Sequence, residues 1–190
     1  MAHTITPKIA MELVSHEAIV TEAYKDSAGV WTWSVGITNA SGHIVHPRYL
    51  DNPQTLRRCL EVFEWLVRNK YMPEVDEVFA AHPLNEAQVG AALSFHYNTG
   101  GLRRATWVKN VLEGDLAAAR KNIMIWNKAG GQVSVGLTTR RAKERDLFFD
   151  GIWSNDGTAL AIPVGKPGYS PNVSGAKRVA IMSTLQELFG

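Results

Sequence analysis

The sequence predicts an α+β protein in which a small β-hairpin region is followed by a predominantly helical part. Between Gly29 and Ile37, large apolar residues alternate with small or polar ones, which is the period of a strand. From Asn52 onward, apolar residues recur at helical spacing in one segment after another. The chain has 190 residues, 45% of them hydrophobic, which is enough for one compact core.

The first predicted element is a helix that ends close to Glu17. Thr6 is a candidate N-cap, and Pro7 suits the first helical position. The apolar residues that follow at helical spacing are Ile9, Ala10, Leu13 and Val14. Because the C-terminal end of a helix disfavours negative charge, a carboxyl group at this place is suited to hold a proton.

The second predicted element is a strand over residues 29–37 with two different faces. Trp31, Trp33, Val35 and Ile37 alternate with Val30, Thr32, Ser34 and Gly36. The first face packs on the core, so Thr32 is expected on the face that is open to solvent or ligand. Residues 26–29 and 39–42 are predicted to be turns, and residues 43–46 a short strand.

The remaining elements are predicted to be helices. Their apolar stripes cover 56–67, 89–96, 107–112, 116–126 and a segment to Phe149, with Pro73 as an interruption. The expected N-caps are Asn85, Thr106, Asp115 and Thr138 or Thr139. We predict one main domain over residues 1–150 and a C-terminal extension over 151–190 that packs on it. A separate binding module over 151–190 is disfavoured, because some 40 residues without disulfides rarely fold alone.

Composition excludes several classes of protein. The one cysteine, Cys59, lies at helical spacing with apolar residues and is predicted to be a buried thiol. No apolar run reaches the roughly 20 residues of a membrane span, and the first residues do not have the pattern of a signal peptide. The histidines, including His16, His43 and His46, do not form a metal-binding motif, so neither a metal nor another cofactor is expected.

Charge is unevenly distributed, although the net charge is only +2. Residues 1–100 contain 7 Lys and Arg against 11 Asp and Glu, residues 101–145 contain 10 against 3, and residues 146–190 contain 3 against 4. The middle segment would attract a polyanion, or it is simply a solvated helix face. Nucleic acid is not the expected partner, because no nucleic-acid-binding module surrounds these residues.

Glu17, Asp26 and Thr32 are the candidate catalytic residues. Eight residues separate Glu17 from Asp26, and five separate Asp26 from Thr32. Taken singly, they are an ordinary surface carboxylate, a turn former and a strand residue. Two carboxylates in different environments can divide acid and base roles, which is what cleavage of a glycosidic bond needs.

The stretch that contains these three residues, HEAIVTEAYKDSAGVWTWSVGIT, resembles the phage-type lysozymes, the muramidases of glycoside hydrolase family 24. Later landmarks of the family follow in the same order at 92–100, 114–115, 126–131 and 136–144, so the resemblance covers about residues 6–150. The chain departs from its relatives at Ala18, where glycine is common, and at Ile37, where some relatives have a structural histidine.

The resemblance implies a lysozyme-like fold with an active-site cleft between the hairpin region and the helical lobe. It implies hydrolysis of the β-1,4 bond between N-acetylmuramic acid and N-acetylglucosamine with inversion. Glu17 would act as the acid, and Asp26, assisted by Thr32, would position and activate the attacking water. The two carboxyl groups would then be roughly 6.5 to 9.5 Å apart, which leaves room for that water. Asn98 would support substrate binding or cap its helix, and Arg141 would approach Glu17 or face solvent.

The resemblance also suggests a phage or prophage lysis protein that acts on peptidoglycan as a monomer. It would be made in the host cytoplasm without a signal peptide and would reach the cell wall through membrane holes made by a holin. Two other functions remain open. One is a lytic transglycosylase, which can dispense with Asp26, and the other is a non-catalytic wall-binding protein.

Overall fold

The computed structural model describes residues 3–190 and divides into two compact units. The hairpin unit comprises Leu13–Leu66 and Asn155–Gly190, and the helical unit comprises Met1–Glu12 and Val67–Ser154. Helices and small antiparallel sheets make up the structure, so the predicted α+β class is confirmed. Among the described residues, no helix has the length and apolar character that crossing a membrane requires.

A three-stranded antiparallel sheet forms the centre of the hairpin unit. Its strands are β1 (Val20–Lys25), β2 (Trp31–Ser34) and β3 (Ile37–Thr38), in that spatial order. The single strand predicted over residues 29–37 is therefore wrong, because the chain turns between β2 and β3. Ser34 and Gly36 have positive φ angles of 57° and 69°, which reverse the chain direction there.

The short strand predicted at residues 43–46 is also wrong. The chain instead forms a 3-10 helix at Asn39–Ser41, which ends at Gly42 with a φ angle of 88°. The side-chain oxygen of Asn39 accepts a hydrogen bond from the Val45 amide at 2.8 Å, so this amide is not free to join a strand ladder.

Tryptophan and helix packing build the core of the hairpin unit. The Trp33 ring stacks on Tyr49 at 3.7 Å between centroids, and its Nε1 donates to the carbonyl of Thr21 at 3.0 Å. Helix α2 (Leu56–Leu66) contributes Cys59, which is fully buried as predicted. Burial raises the pKa of the Cys59 thiol to about 12, so it remains protonated.

The C-terminal segment supplies further strands and a helix to the hairpin unit. Strand β6 (Thr158–Ala161) pairs with β9 (Lys177–Ala180), and β7 (Val164–Gly165) pairs with β8 (Ser170–Pro171). Helix α8 (Met182–Phe189) packs on α2.

The helical unit contains α3 (Met72–Val78), α4 (Glu86–Thr99), α5 (Thr106–Leu112), α6 (Leu116–Asn122) and α7 (Val135–Asp150). A short hairpin, β4 (Lys128–Ala129) with β5 (Gln132–Val133), precedes α7. Helices α4 and α7 pack against each other. Helix α7 also contacts α5, where Phe148 of α7 lies edge-to-face with the buried Trp107 at 5.3 Å.

Local capping in this unit follows the sequence in some places and differs in others. Asn85 with Gln88 forms the predicted capping box of α4, and Asp115 caps α6. Helix α7 begins earlier than predicted, because Ser134 is its cap and accepts from the Leu137 amide at 3.3 Å. Thr106 is the first residue of α5, not its cap.

The interruption predicted at Pro73 takes a different form. A π-helical turn, Val67–Tyr71, leads directly into α3. Pro73 occupies the second position of α3, where its missing N–H would have no partner within the helix. The helical path therefore continues through this segment with a local change of geometry.

Candidate active site

Glu17 directly follows α1 (Pro7–His16), as predicted. Thr6 caps the start of this helix, since its Oγ1 accepts from the Ile9 amide at 3.2 Å. The carboxylate of Glu17 lies against Gly36 at the turn between β2 and β3, and a β-carbon at position 36 would be 3.2 Å from Glu17 Oε2. The absence of a side chain at Gly36 therefore makes room for the candidate acid.

Asp26 begins the turn that joins β1 to β2. Its Oδ1 accepts two hydrogen bonds, from the amides of Ala28 and Val30, each at 2.9 Å. Gly29, with a φ angle of 77°, completes the turn and donates to the carbonyl of Asp26 at 2.9 Å. Because both bonds to the carboxylate end on Oδ1, the turn fixes this group and leaves Oδ2 available for another partner.

Thr32 lies on β2, but its side chain is less accessible than predicted. It is only 4% exposed, and its Oγ1 donates to the Val30 carbonyl at 3.1 Å. Its cross-strand partner is Tyr24, a large side chain on the same face of the sheet. The expectation of an open face at Thr32 is therefore wrong, since the side chain is buried on β2 opposite a large cross-strand neighbour.

Tyr24 is a site residue that the sequence interpretation missed. Its pKa is raised above the usual value, first by burial and then by the negative charges of Glu17 and Asp26. Both carboxylates thus lie within electrostatic range of one phenol, which stays protonated as a hydrogen-bond donor. The signal in the sequence was the position of Tyr24, two residues before Asp26. That Tyr24 lies opposite Thr32 is known only from the strand pairing.

Arg141 and Asn98, the two predicted supporting residues, are bonded to each other in the helical unit. Arg141 is fully buried, and its Nη2 donates to Asn98 Oδ1 at 3.0 Å. The alternative of a solvent-facing Arg141 is therefore wrong. Asn98 does not cap α4 either, because Gly100 ends the helix with a φ angle of 57° and donates to the His96 carbonyl.

Glu144 is the centre of this buried polar network and was also missed. Its carboxylate pairs with Arg141 Nε at 2.8 Å and with Arg140 Nε at 3.1 Å, and it accepts from Ser94 Oγ at 2.7 Å. The spacing of three and four residues between the arginines and Glu144 on one helix was the signal. Because Arg141 has two acceptors, its guanidinium holds the Asn98 side chain in a fixed orientation.

A cavity of about 540 Å³ lies beside Asn98 in the helical unit. Trp126 forms part of its wall and packs so closely over Gly101 that a β-carbon there would be 2.6 Å from the ring. The guanidinium of Arg104 lies 5.7 Å from the centre of the same ring, and Lys128 also lines the cavity. The cavity therefore combines an amide, an indole and a cation. Among residues 3–190, no cluster of three or more metal-ligating side chains occurs.

The small hairpin sheet together with the helical unit defines a protein of the lysozyme-like class. Comparison with known proteins identifies the family. Residues 14–144 match the family model described as phage lysozyme. The chain is 30% identical over 156 residues to a SAR-endolysin of Haemophilus phage HP1. This match covers 75% of this chain and 80% of that protein. It is 39% identical over 133 residues to a SAR-endolysin of bacteriophage PS119, covering 69% of this chain and 75% of that protein. The chain belongs to the phage lysozyme family.

Two further comparisons concern length and fold. An endolysin of Bacillus phage B103 is 30% identical over 145 residues, and the chain spans about half of its length, with 52% of that protein matched. An endolysin from Escherichia coli O157:H7 phage FAHEc1 has a TM-score of 0.64 at 21% identity, covering 82% of this chain and 99% of that chain. At this identity the structural match establishes the lysozyme-like fold alone.

Proposed function

We propose that the protein is a peptidoglycan hydrolase, a muramidase that cleaves the β-1,4 bond between N-acetylmuramic acid and N-acetylglucosamine. The observation that carries this proposal is the pair of carboxylates on the hairpin unit. Glu17 lies against Gly36, Asp26 is fixed through one oxygen, and both lie within electrostatic range of Tyr24. The endolysin names of the relatives support the same substrate.

In the proposed mechanism, Glu17 is the general acid and protonates the leaving glycosidic oxygen. Asp26 Oδ2, which the turn leaves available, accepts a proton from the attacking water. Thr32 assists indirectly: its Oγ1 donates to the carbonyl of Val30, and the amide of the same Val30 donates to Asp26 Oδ1, so Thr32 helps to hold the turn that orients Asp26. Attack from the face opposite the leaving group inverts the anomeric carbon and needs a carboxyl separation of roughly 6.5 to 9.5 Å.

Asn98 and Arg141 are proposed to support substrate binding in the helical unit. A guanidinium group only donates hydrogen bonds, so Asn98 must present its amide oxygen to Arg141. The amide nitrogen of Asn98, beside the cavity that Trp126 lines, is then the donor for an acetamido or hydroxyl oxygen of the glycan. Asn98→Leu is expected to raise KM about tenfold, the loss of one hydrogen bond to a polar ligand, while kcat changes less.

The decisive experiment is mass spectrometry of the muropeptides released from purified sacculi by wild type and by Glu17→Gln. A muramidase releases reducing N-acetylmuramic acid ends, and the variant releases none above background. Anhydro-muramic ends would instead identify a lytic transglycosylase. Sedimentation with sacculi without release of any sugar ends would identify a wall-binding protein. NMR of the first anomer formed tests inversion, and retained β-product would contradict it.

We also propose a role in phage lysis, supported by the endolysin names of the relatives. The protein would act on the cell wall as a monomer after a holin has permeabilised the membrane. Co-expression with a phage holin is expected to lyse the host, whereas expression of either protein without the other leaves most cells intact. Rapid lysis by this protein in the absence of holin would contradict the export route.

Residues 151–190 are proposed to be an integral extension of the catalytic domain. This proposal is supported by contacts at both ends of the segment. The carboxylate of Glu12 accepts from Ser154 Oγ at 2.6 Å in the helical unit, and Phe189 lies 6.2 Å from Phe63 in the hairpin unit. A chain that ends at Asp150 is expected to lose several kcal/mol of stability, because it loses this hydrogen bond and the buried apolar side chains of the segment, among them Leu185 and Phe189. A truncated protein that is soluble, equally stable and fully active would contradict the proposal.

A further inference from the structure

Strand β1 is the piece of chain that separates the two candidate carboxylates. Glu17 lies three residues before its first residue, and Asp26 follows its last residue. One edge of β1 pairs with β2, through Val20 with Ser34 and Tyr24 with Thr32, but the register shifts between these two pairs. Such an irregularity interrupts the hydrogen-bond ladder and bends the strand. The pairing with β2 is therefore broken within the stretch that separates Glu17 from Asp26.

The other edge of β1 is held in its middle by two backbone bonds, from the Ala23 amide to the Tyr49 carbonyl at 2.9 Å and from the Gln54 amide to the Thr21 carbonyl at 2.8 Å. At both of its ends this edge is held by the C-terminal segment. Just before the strand, the Ile19 amide donates to the Leu160 carbonyl at 2.7 Å, and Ile19 accepts from the Ile162 amide at 2.9 Å. At the last residue of the strand, the Lys25 amide donates to the Tyr169 carbonyl at 2.7 Å. These bonds attach to the residue two after Glu17 and to the residue just before Asp26.

Side chains add a third attachment between these two ends. The Lys166 ammonium pairs with Glu22 Oε1 at 2.7 Å and also with Asp51. Glu22 lies in the middle of β1, and its side chain is only 13% exposed, so this ion pair is less screened than one on an open surface. Tyr169 also donates to Asp51 Oδ2 at 2.9 Å. Asp51 therefore binds the turn between β7 and β8 at two residues, Lys166 and Tyr169.

The C-terminal segment is anchored independently of β1. Strands β6 and β9 pair over four successive residue pairs, from Thr158 with Ala180 to Ala161 with Lys177. Helix α8 then packs on α2, with an ion pair of 2.5 Å between Arg57 and Glu187. Because the segment has its own support, it can act as a fixed frame for the strand.

We propose that residues 158–171 are a positioning element for the catalytic pair: they clamp both ends of β1 and thereby fix the separation of Glu17 from Asp26. The element lies beyond residue 144, where the match to the family model ends. This inference rests on the proposed muramidase function and assigns to the C-terminal segment a role in the reaction itself.

The test replaces residues 163–175 by Asn-Gly, which is a favoured two-residue hairpin turn. This change keeps the β6 and β9 pairing, α8 and both bonds to Ile19, but it removes Lys166 and the Tyr169 carbonyl. Initial rates on dye-labelled sacculi give kcat and KM, and amide hydrogen exchange by NMR reports the protection of Ile19 and Lys25. Circular dichroism verifies that the variant is folded.

We expect kcat to fall about ten- to a hundredfold, since a misplacement of about 1 Å at reacting groups costs about a hundredfold. KM is expected to remain within threefold, with protection lost at Lys25 and retained at Ile19. A smaller change gives a matched comparison: Lys166→Met lowers kcat severalfold and Lys166→Arg restores it. Lys177→Met, on β9 of the same segment, leaves kcat unchanged.

The outcomes separate this inference from the proposed function. If the kcat of wild type exceeds that of Glu17→Gln but the loop replacement has an unchanged kcat, the positioning role is wrong and the muramidase function stands. If the kcat of wild type does not exceed that of Glu17→Gln, the muramidase function fails and the positioning role fails with it. If the loop replacement does not fold, an unchanged kcat in Lys166→Met overturns the inference.

Discussion

Gly36→Ala should lower activity beyond its effect on stability, because Gly36 has two separate constraints. Its φ angle of 69° is in the left-handed region, where a β-carbon costs about 1 to 2 kcal/mol. An added β-carbon would also lie 3.2 Å from Glu17 Oε2 and 3.5 Å from its Cδ, and ordinary van der Waals contact begins at 3.4 Å. The carboxylate must therefore move by a few tenths of an ångström.

The size of the activity loss follows from this displacement. If a misplacement of about 1 Å costs about a hundredfold and the logarithm of the rate scales with distance, then a shift of ~0.2 to 0.4 Å costs about three- to sixfold in kcat. KM should change little, because the clash is with the proposed acid. Gly42→Ala is the matched control: its φ angle of 88° gives the same backbone strain, but nothing lies within 4 Å of the added β-carbon.

The assay combines urea unfolding with initial rates on dye-labelled sacculi for the two variants and wild type. Both variants are expected to lose about 1 to 2 kcal/mol of stability, from the left-handed backbone alone. Only Gly36→Ala is expected to lose kcat at a temperature where all three proteins are folded. Equal kcat values for Gly36→Ala and Gly42→Ala would refute the placement of the Glu17 carboxylate over this turn.

Three other results are expected. Glu144→Gln should lower the free energy of unfolding in urea by about 3 to 5 kcal/mol, because it leaves two buried guanidinium groups without their counter-charge; a loss below 1 kcal/mol would contradict this. Cys59 should not react with a thiol reagent at pH 8 until the protein unfolds, and fast labelling of folded protein would show that it is exposed. Burial lowers the pKa of His96 from 6.5, although Glu74 acts in the opposite direction, so the unfolded chain takes up this proton first. Stability should therefore fall as pH drops below about 6.5, and the fall should be smaller in His96→Gln by calorimetry; equal pH dependence in both proteins would contradict the assignment.

Local signals in the sequence predicted the ends of several elements correctly. Thr6 before Pro7, Asp115 before α6 and the pair of Asn85 with Gln88 all act within one helical turn. Such contacts depend on neighbours that the sequence places next to each other. Helix α7 differed because Ser134, Thr138 and Thr139 are all good caps by composition. In the structure Ser134 is the cap, and the two threonine hydroxyls instead donate to carbonyls of the preceding turn.

The turn between β2 and β3 could not be found from periodicity. Trp33, Val35 and Ile37 are all fully buried, so the alternation of apolar residues continues through the reversal. Trp33 pairs with Ile37 across a three-residue loop, so these two residues lie on the same face and the period of two is preserved. No proline or asparagine occurs in this loop. The glycine at position 36 was the remaining signal, and its position against Glu17 becomes visible only when the helix and the hairpin are brought together.

Charge counted along the sequence overestimated the basic character of the segment 101–145. Arg140 and Arg141 are buried against Glu144, so they do not contribute to a surface field. Three surface arginines pair with acids outside the counted segment: Arg103 with Glu77, Arg120 with Asp150 and Arg145 with Asp146. Each such pair reduces the long-range attraction for a polyanion. Arg104 instead lies over Trp126, and Lys128 lines the cavity beside it, so positive charge is local to that wall. Which charges pair in the folded protein, rather than how many occur in a segment, therefore determines the field at the surface.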